Sequence, residues 1–255
     1  MSTWLLLRGL ARESGHWGGF PGLLQQRLGP GHEVRTIDLP GCGTRWQEAS
    51  PTRVAAIARA CRAAHAAQGG GTPVVLVALS LGGMVALEWA RQAPAEVAGG
   101  VLINTSLRGV SPFWHRLRPA NYPRLLSLLR PGVDALARER AILSMTSAQP
   151  QRQAQAPSCW AALARERPLS PGNAVRQLLA AVRFTAAPHP PPAPWLLLCS
   201  AGDRLVSPRC SHQLATRWRL PLLEHPWAGH DLPLDDPDWL LERLTAWAED
   251  LPAAS

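Results

Sequence analysis

Ser80 lies in the sequence context of a nucleophilic serine. An apolar run, Val74–Leu79, predicts a buried strand that leads into a sharp turn at Ser80 and then into a helix. Residues two before and two after such a serine must be small because the strand and helix backbones approach closely there, and Ala78 and Gly82 meet this requirement. The common form of the motif has glycine where this chain has Ala78. The alternative is a serine that only caps a helix.

A serine hydroxyl is a weak nucleophile and needs a base to accept its proton. The elements that would bring such a base close are short apolar runs, each bounded by turn signals. Continuous apolar runs indicate strands buried on both faces, and helical patterns between them predict a parallel sheet with helical crossovers. The runs are Trp4–Leu7, Glu33–Ile37, Pro73–Val77, Gly99–Ile103, Trp195–Cys199 and Leu220–Glu224.

The alternation of strands and helices stops between residues 106 and 187. This stretch is too long for a simple loop and predicts a helical insertion between two parts of an α/β core, residues 1–105 and 188–255. A proline-rich connector, residues 188–194, leads back to the next strand. The four expected helical segments of the insertion are Tyr122–Leu129, Val133–Met145, Ser158–Arg167 and Asn173–Phe184.

Three segments near the N-terminus resemble the opening of the α/β-hydrolase superfamily. They are Leu6-Leu7-Arg8-Gly9-Leu10, Gly15-His16-Trp17 and Asp38-Leu39-Pro40-Gly41-Cys42-Gly43. The resemblance extends through the Ser80 turn to two loops near the C-terminus and so covers nearly the whole chain. It implies an α/β-hydrolase fold, with a mostly parallel central sheet of about six strands, flanking helices and a helical lid. The serine-dependent reaction of such a fold requires no cofactor and no metal.

The same resemblance implies the partners of Ser80. Gly202-Asp203 follows a predicted strand as the acid loop of the family does, and Gly229-His230 follows the last strand as its histidine loop does. Asp203 would orient His230, and His230 would act as the general base. His225 competes as the base but lacks the preceding glycine. Some members carry the acid after the preceding strand, where this chain has Asn104.

An oxyanion hole needs two backbone N–H donors that point at the developing negative charge. We expect them at Leu81, just after the nucleophile, and at Leu10, just after the Arg8-Gly9 pair. The family usually has histidine where this chain has Arg8. Arg8 either shapes the loop or binds an anionic group of the substrate, and the first role is favoured. His16 is expected to pack or bond locally.

Positive charge is concentrated in the predicted insertion. Residues 106–185 hold twelve arginines and three acids, a net charge of +9, whereas the rest of the chain has a net charge of −1. A positive face attracts anionic partners, and acyl carrier protein, coenzyme A and small carboxylates all fit. The lidded carboxylesterases that act on carrier-bound acyl chains are similar in this respect. Nucleic acid is not expected because no binding motif is present.

The implied reaction is hydrolysis of a carboxylic ester or thioester through an acyl-Ser80 intermediate. Substrate-binding candidates are Arg8, Trp114, Met145 and Trp160. The main alternative is a C–C hydrolase or lyase that uses the same triad on a carboxylate-bearing molecule, and a non-catalytic binding module is the other. The five cysteines have neither disulfide nor zinc spacing. No apolar run approaches the roughly 18 residues of a membrane span, so a cytoplasmic location is expected.

Overall fold

The computed structural model describes residues 2–70, 73–128, 130, 132–151, 153–185 and 187–251. Four residues of the expected insertion, Leu129, Pro131, Arg152 and Ala186, lie outside the described residues. Among the described helices, none combines the length and the apolar character that a bilayer crossing requires.

Six strands form one sheet in the order β2-β1-β3-β4-β5-β6, and every neighbouring pair is parallel. All six apolar runs are therefore strands, as expected. The central strands are buried on both faces because helices cover both sides. The strands are β1 (Ser2–Leu7), β2 (His32–Ile37), β3 (Val74–Leu79), β4 (Val97–Ile103), β5 (Trp195–Ser200) and β6 (Leu222–His225).

Helices pack on the two faces of the sheet and bury two apolar clusters. On one face lie α2 (Val54–Ala67), α3 (Leu81–Gln92) and α9 (Arg209–Trp218). On the other lie α1 (Phe20–Leu28) and α11 (Pro237–Glu249), and the short α10 (Leu232–Asp235) precedes α11. The sequence patterns did not predict α1, since Phe20 and Leu24 are its only fully buried side chains and show little periodicity.

The chain between β4 and β5 forms the helical insertion. Its helices are α4 (Phe113–Arg116), α5 (Tyr122–Leu128), α6 (Ala135–Thr146), α7 (Ala156–Glu166) and α8 (Pro171–Arg183). Side chains of Asp134 and Ser170 accept hydrogen bonds from the first turns of α6 and α8, which fixes where these helices begin. A backbone bridge between Arg108 and Thr185 brings the two ends of the insertion together. The insertion can therefore cover one edge of the sheet while both ends stay near the core.

Candidate active site

Ser80 occupies a strained turn between β3 and α3. Its backbone has φ 57° and ψ −115°, a conformation that costs a serine about 1–3 kcal/mol. The Ser80 N–H donates to the carbonyl of Ile103 on β4, 2.9 Å away, and this bond holds the turn against the sheet. Two residues later, a Cβ on Gly82 would lie 2.5 Å from the carbonyl oxygen of Leu7. The close approach that the sequence motif implied is therefore present, and it requires glycine on the helix side.

Asp203 and His230 form a buried pair on the loops that follow β5 and β6. The Nδ1–H of His230 donates to Oδ2 of Asp203 over 2.7 Å, and both side chains are at most 5% exposed. The other carboxylate oxygen of Asp203 accepts the backbone N–H groups of Leu205 and Val206. The carboxylate is thus fixed at both oxygens, and it leaves the second ring nitrogen of His230 free to act as a base.

Asn104, at the end of β4, positions the histidine loop. The backbone of Asn104 lies in the left-handed region, with φ 49°, which asparagine tolerates better than most residues. Its side-chain amide donates to the carbonyl of His230 at 2.9 Å and to the hydroxyl of Ser200 at 3.1 Å, and it accepts the Ser200 N–H. Some members of the family carry the acid at the position of Asn104. In this chain Asn104 instead links the end of β5 to the loop that carries His230.

Ser80 and His230 line the same cavity, which has a volume of about 200 Å³. Its walls come from the loops at the carboxyl ends of the strands and from the insertion, and most of the lining side chains are apolar. Neither Ser80 Oγ nor His230 Nε2 makes a hydrogen bond with any of the described residues. Both groups can therefore meet a molecule in the cavity, and catalytic hydrogen bonds often tighten only when substrate is present.

The loop after β1 lies directly beside Ser80. A Cβ on Gly9 would lie 3.1 Å from the Cβ of Ser80, so this loop passes Ser80 with little room for a side chain at position 9. In the described part of the chain, the N–H groups of Leu10 and Leu81 donate to no acceptor. The Ala11 N–H is already used, since it donates to Gln177 at 2.9 Å. The N–H groups of Leu10 and Leu81 therefore remain available as donors beside Ser80.

Gln177, on α8 of the insertion, was not anticipated by the sequence analysis of the site. Its side chain is fully buried and accepts the Ala11 N–H, and its amide group donates to the carbonyl of Pro40 and to the thiol of Cys42. One side chain of the insertion thus connects the loops after β1 and β2. Burial raises the pKa of the Cys42 thiol to about 12, so this thiol stays protonated near neutral pH.

Arg8 lines the cavity, but its charge is paired. Nη1 and Nη2 donate to the two carboxylate oxygens of Asp231 over 3.0 and 2.6 Å, and both side chains are at most 5% exposed. The guanidinium also lies 4.9 Å from the ring of Trp17. These contacts fix Arg8 between the β1 loop and the histidine loop.

Arg12 is a second buried arginine of this loop, and no pattern in the sequence indicated its role. It lines the cavity, donates to Glu139 of α6 over 2.6 Å and lies 4.5 Å from the ring of Trp160. It also donates to Nε2 of His16 over 2.7 Å. Burial, together with the neighbouring Arg12 and Arg8 charges, holds the pKa of His16 well below its ordinary value. His16 is therefore a neutral acceptor with a local role.

Two of the expected substrate-binding residues lie outside the cavity. Trp114 is half exposed on α4 and contacts Phe113. It lines a separate surface depression beside Asp203. Trp160 is buried behind the cavity wall, where it supports the Arg12 guanidinium. Met145 does line the cavity, near His230.

One group of side chains outside the cavity has the composition of a metal site. Ligand atoms of Cys199, His212 and Glu224 lie within 4.8 Å of one another, although the sequence separates them widely. In this structure His212 Nε2 bonds to Glu224 over 2.6 Å, and burial raises the pKa of the Cys199 thiol. The hydrogen-bonded pair accounts for the cluster without an ion, and none of the three residues lines the Ser80 cavity.

Comparisons with known proteins agree with this architecture. Residues 4–243 match the model of the family described as "Alpha/beta hydrolase family". No curated protein matches the chain in sequence.

Similar solved structures share the fold at low sequence identity. A candidate non-heme bromoperoxidase, BpoC, from Mycobacterium tuberculosis has a TM-score of 0.78 and 19% identity, with 99% of this chain and 94% of that chain covered. A thermophilic esterase from Thermogutta terrifontis has a TM-score of 0.76 and 20% identity, with 98% and 90% covered. The RedJ thioesterase of prodiginine biosynthesis in Streptomyces coelicolor has a TM-score of 0.64 and 19% identity, with 96% and 85% covered.

Proposed function

This chain belongs to the alpha/beta hydrolase family, and on that premise we propose that it is a serine hydrolase that cleaves a carboxylic ester or thioester. The observation that carries the proposal is the buried Asp203–His230 pair, whose free ring nitrogen lines the same cavity as the strained Ser80. Paired acid, base and nucleophile are needed for acyl transfer and have no use in a binding module.

The reaction follows from the positions of these groups. His230 Nε2 accepts the hydroxyl proton as Ser80 Oγ attacks the carbonyl carbon, and Asp203 stabilises the imidazolium that forms. The Leu10 and Leu81 N–H groups stabilise the oxyanion. His230 then protonates the departing alcohol or thiol, which leaves an acyl-Ser80. Water, deprotonated by His230, hydrolyses that intermediate and restores the free serine.

The cavity favours a substrate with an acyl chain. Apolar side chains of α5, α6 and α8, among them Leu125, Ile142 and Leu178, line it beyond the catalytic residues. A volume of about 200 Å³ accommodates an acyl chain rather than a bulky polymer. Burial of such a chain supplies binding energy of about 0.8 kcal/mol for each methylene.

The exposed arginines of the insertion support an anionic partner. Of the twelve arginines in residues 106–185, Arg152 lies outside the described residues, Arg116 donates to a backbone carbonyl, Arg167 pairs with Glu13, and Arg138 lines the cavity. The other eight are exposed: Arg108, Arg118, Arg124, Arg130, Arg140, Arg165, Arg176 and Arg183. We propose that they attract an acyl carrier protein or coenzyme A, because a surface that carries many positive charges steers anionic molecules toward it.

Labelling with a fluorophosphonate probe tests the proposal. The probe should label wild-type protein under native conditions and should not label Ser80→Ala. His230→Ala should slow labelling by at least about 100-fold because the base is lost. Thr105→Ala, which changes a hydroxyl bonded to the Ser80 carbonyl but leaves the triad intact, serves as the control.

The probe result and ester turnover together separate the candidate functions. Absence of a Ser80 label on the folded wild-type protein would exclude the serine-hydrolase mechanism. A Ser80 label without turnover of any p-nitrophenyl ester or thioester, whether neutral or carboxylate-bearing, would exclude ester cleavage and favour C–C bond cleavage on the same triad.

A further inference from the structure

Three arginines line the cavity that contains Ser80, and two of them have carboxylate partners. Arg8 pairs with Asp231 and Arg12 pairs with Glu139, each over 2.6 Å. The third, Arg138, forms no salt bridge and no side-chain hydrogen bond with the described residues, and its Nε is fully buried. The carboxylates of Asp231 and Glu139 neutralise the charges of Arg8 and Arg12. The one positive charge that remains on the cavity wall is that of Arg138.

The position of Arg138 on α6 places this residue about two helical turns from the end of the helix that borders the histidine loop. Arg138, Ile142 and Met145 all line the cavity, and spacings of four and three residues put them on one helix face. Thr146, at the end of α6, accepts the N–H of Asp231, next to the catalytic histidine. Seven residues of helix separate Arg138 from Met145, which corresponds to about 10 Å along the axis.

Between the two ends, the face of α6 is apolar. Ile142 lies one turn from each end, and Leu125 and Leu128 of α5 line the same space. A ligand that reaches both ends therefore needs an apolar middle. At the Arg138 end it needs an acceptor, since the buried Nε–H of this partly exposed arginine has no partner among the described residues, and an unpaired buried donor costs free energy. The planar fork of arginine matches a carboxylate, and one unpaired charge matches a monoanion better than a phosphate monoester, which is close to doubly charged.

We propose that Arg138 binds a carboxylate carried by the substrate, separated from the scissile carbonyl by an apolar chain of about 10 Å. The substrates are then esters or thioesters with a remote carboxylate, such as monoesters of long dicarboxylic acids. This inference rests on the proposed ester hydrolysis. The ester C–O bond breaks, water supplies hydroxyl to the acyl carbon and a proton to the leaving oxygen, and the distal carboxylate is unchanged.

Kinetics with matched esters tests the inference. Monoethyl suberate carries the carboxylate on the acyl side, 8-acetoxyoctanoate carries it on the alcohol side, and ethyl octanoate carries none. Arg138→Gln should lower kcat/KM for the preferred carboxylate ester by about 10- to 100-fold, the usual effect of a charge-assisted hydrogen bond. It should change kcat/KM for ethyl octanoate by less than about 3-fold, because that ester makes no such bond. Which carboxylate ester is affected identifies the side on which the anion is carried.

The control is Arg59→Gln, which removes the same charge from an exposed position on α2, outside the insertion. It should leave the ratio of the two kcat/KM values unchanged. Equal losses on charged and neutral esters in Arg138→Gln would assign Arg138 a purely structural role and overturn the inference. Preference of the wild-type protein for ethyl octanoate over both carboxylate esters would overturn it as well.

Binding to Ser80→Ala separates this inference from the proposed function. Isothermal titration should show that monoethyl suberate or 8-acetoxyoctanoate binds Ser80→Ala at least about 10-fold more tightly than it binds Ser80→Ala/Arg138→Gln. If this difference appears but wild-type protein hydrolyses no ester, the carboxylate site stands and the proposed reaction fails. If esters are hydrolysed and the two variants bind equally, the reaction stands and the carboxylate site is excluded.

Discussion

Replacing Asp231 by asparagine tests whether Arg8 shapes the loop or binds substrate. The exchange keeps the size of the side chain but removes the only carboxylate that bonds Arg8 within the described structure. The guanidinium would remain buried between the β1 loop and the histidine loop with an uncompensated charge. Arg8→Met creates the opposite defect, a buried Asp231 without its cation.

The magnitude follows from the geometry of the pair. Two hydrogen bonds of 3.0 and 2.6 Å join side chains that are 3% and 5% exposed, so solvent screens them little. Removing one partner of such a buried pair costs about 3–5 kcal/mol. The double variant Arg8→Met/Asp231→Asn loses both charges and keeps only an unpaired amide, which costs about 1–3 kcal/mol. The two charges should therefore be coupled by at least about 3 kcal/mol.

Urea unfolding of the four proteins at pH 7 measures this coupling, and ester hydrolysis tests the role in binding. The double variant should keep its kcat/KM for a neutral ester within about 10-fold, since the oxyanion donors are main-chain groups. It should also keep the ratio of charged to neutral ester turnover. A coupling below about 1 kcal/mol, the value for exposed pairs, would contradict the burial argument. A selective loss of anionic-ester turnover in Arg8→Met would show that Arg8 binds substrate.

Two further predictions concern the arginine face and a buried acid. Arg124→Glu/Arg140→Glu should raise KM for a carrier-protein-bound ester by about 5-fold or more and leave KM for a small ester within about 2-fold, and equal increases would exclude steering. Burial raises the pKa of Glu13 from its ordinary value of 4.5 to about 7, against the opposing effect of Arg167. The folded state therefore keeps this proton to higher pH than the unfolded state does, so the stability of the wild-type protein falls as pH rises from 4.5 to 7. Glu13→Gln has no such proton to lose, so its unfolding free energy should rise relative to that of wild type by up to about 3 kcal/mol across that range. A difference in urea unfolding that stays constant with pH would refute this prediction.

The strands and their parallel orientation could be predicted because burial on both faces leaves a continuous apolar signal. The runs at Trp4–Leu7 and Trp195–Cys199 both extend by only one or two residues in the structure, to Ser2 and to Ser200. Helix α1 escaped prediction because it packs on the sheet through two fully buried side chains only. The family match to residues 4–243 supports the fold inferred from the opening motifs.

The residues around the nucleophile were predictable to different extents. Ser80 has a local steric requirement that the sequence displays, namely a small residue two positions before it and another two positions after it. Asp203 and His230 were expected only by resemblance, and the structure places them in contact. Asn104 and Gln177 could not be predicted, because each acts through hydrogen bonds to backbone groups more than 90 residues away in the sequence.

Trp114 and Trp160 were expected at the substrate because some of the apolar residues of the insertion should line an acyl-sized pocket. The outcome depends on the orientation of each helix, which the composition of a segment does not fix. Trp114 lies on a four-residue helix at the surface, and Trp160 lies on the face of α7 that packs against Arg12. Met145 differs because α6 ends at the histidine loop, so its inner face must border the cavity.

Helix α6 links the choice of substrate to the geometry of catalysis. Its C-terminal end is fixed to the histidine loop, where Thr146 accepts the N–H of Asp231 at 2.9 Å and a Cβ on Gly229 would lie 2.5 Å from the Thr146 carbonyl oxygen. Its other end carries Arg138. Since a helix changes length very little, a ligand held at Arg138 has its reactive carbonyl placed relative to His230 by the helix itself. A chain that is too short or too long therefore lowers kcat as well as binding, because the misplaced carbonyl loses the alignment that His230 and the oxyanion donors require.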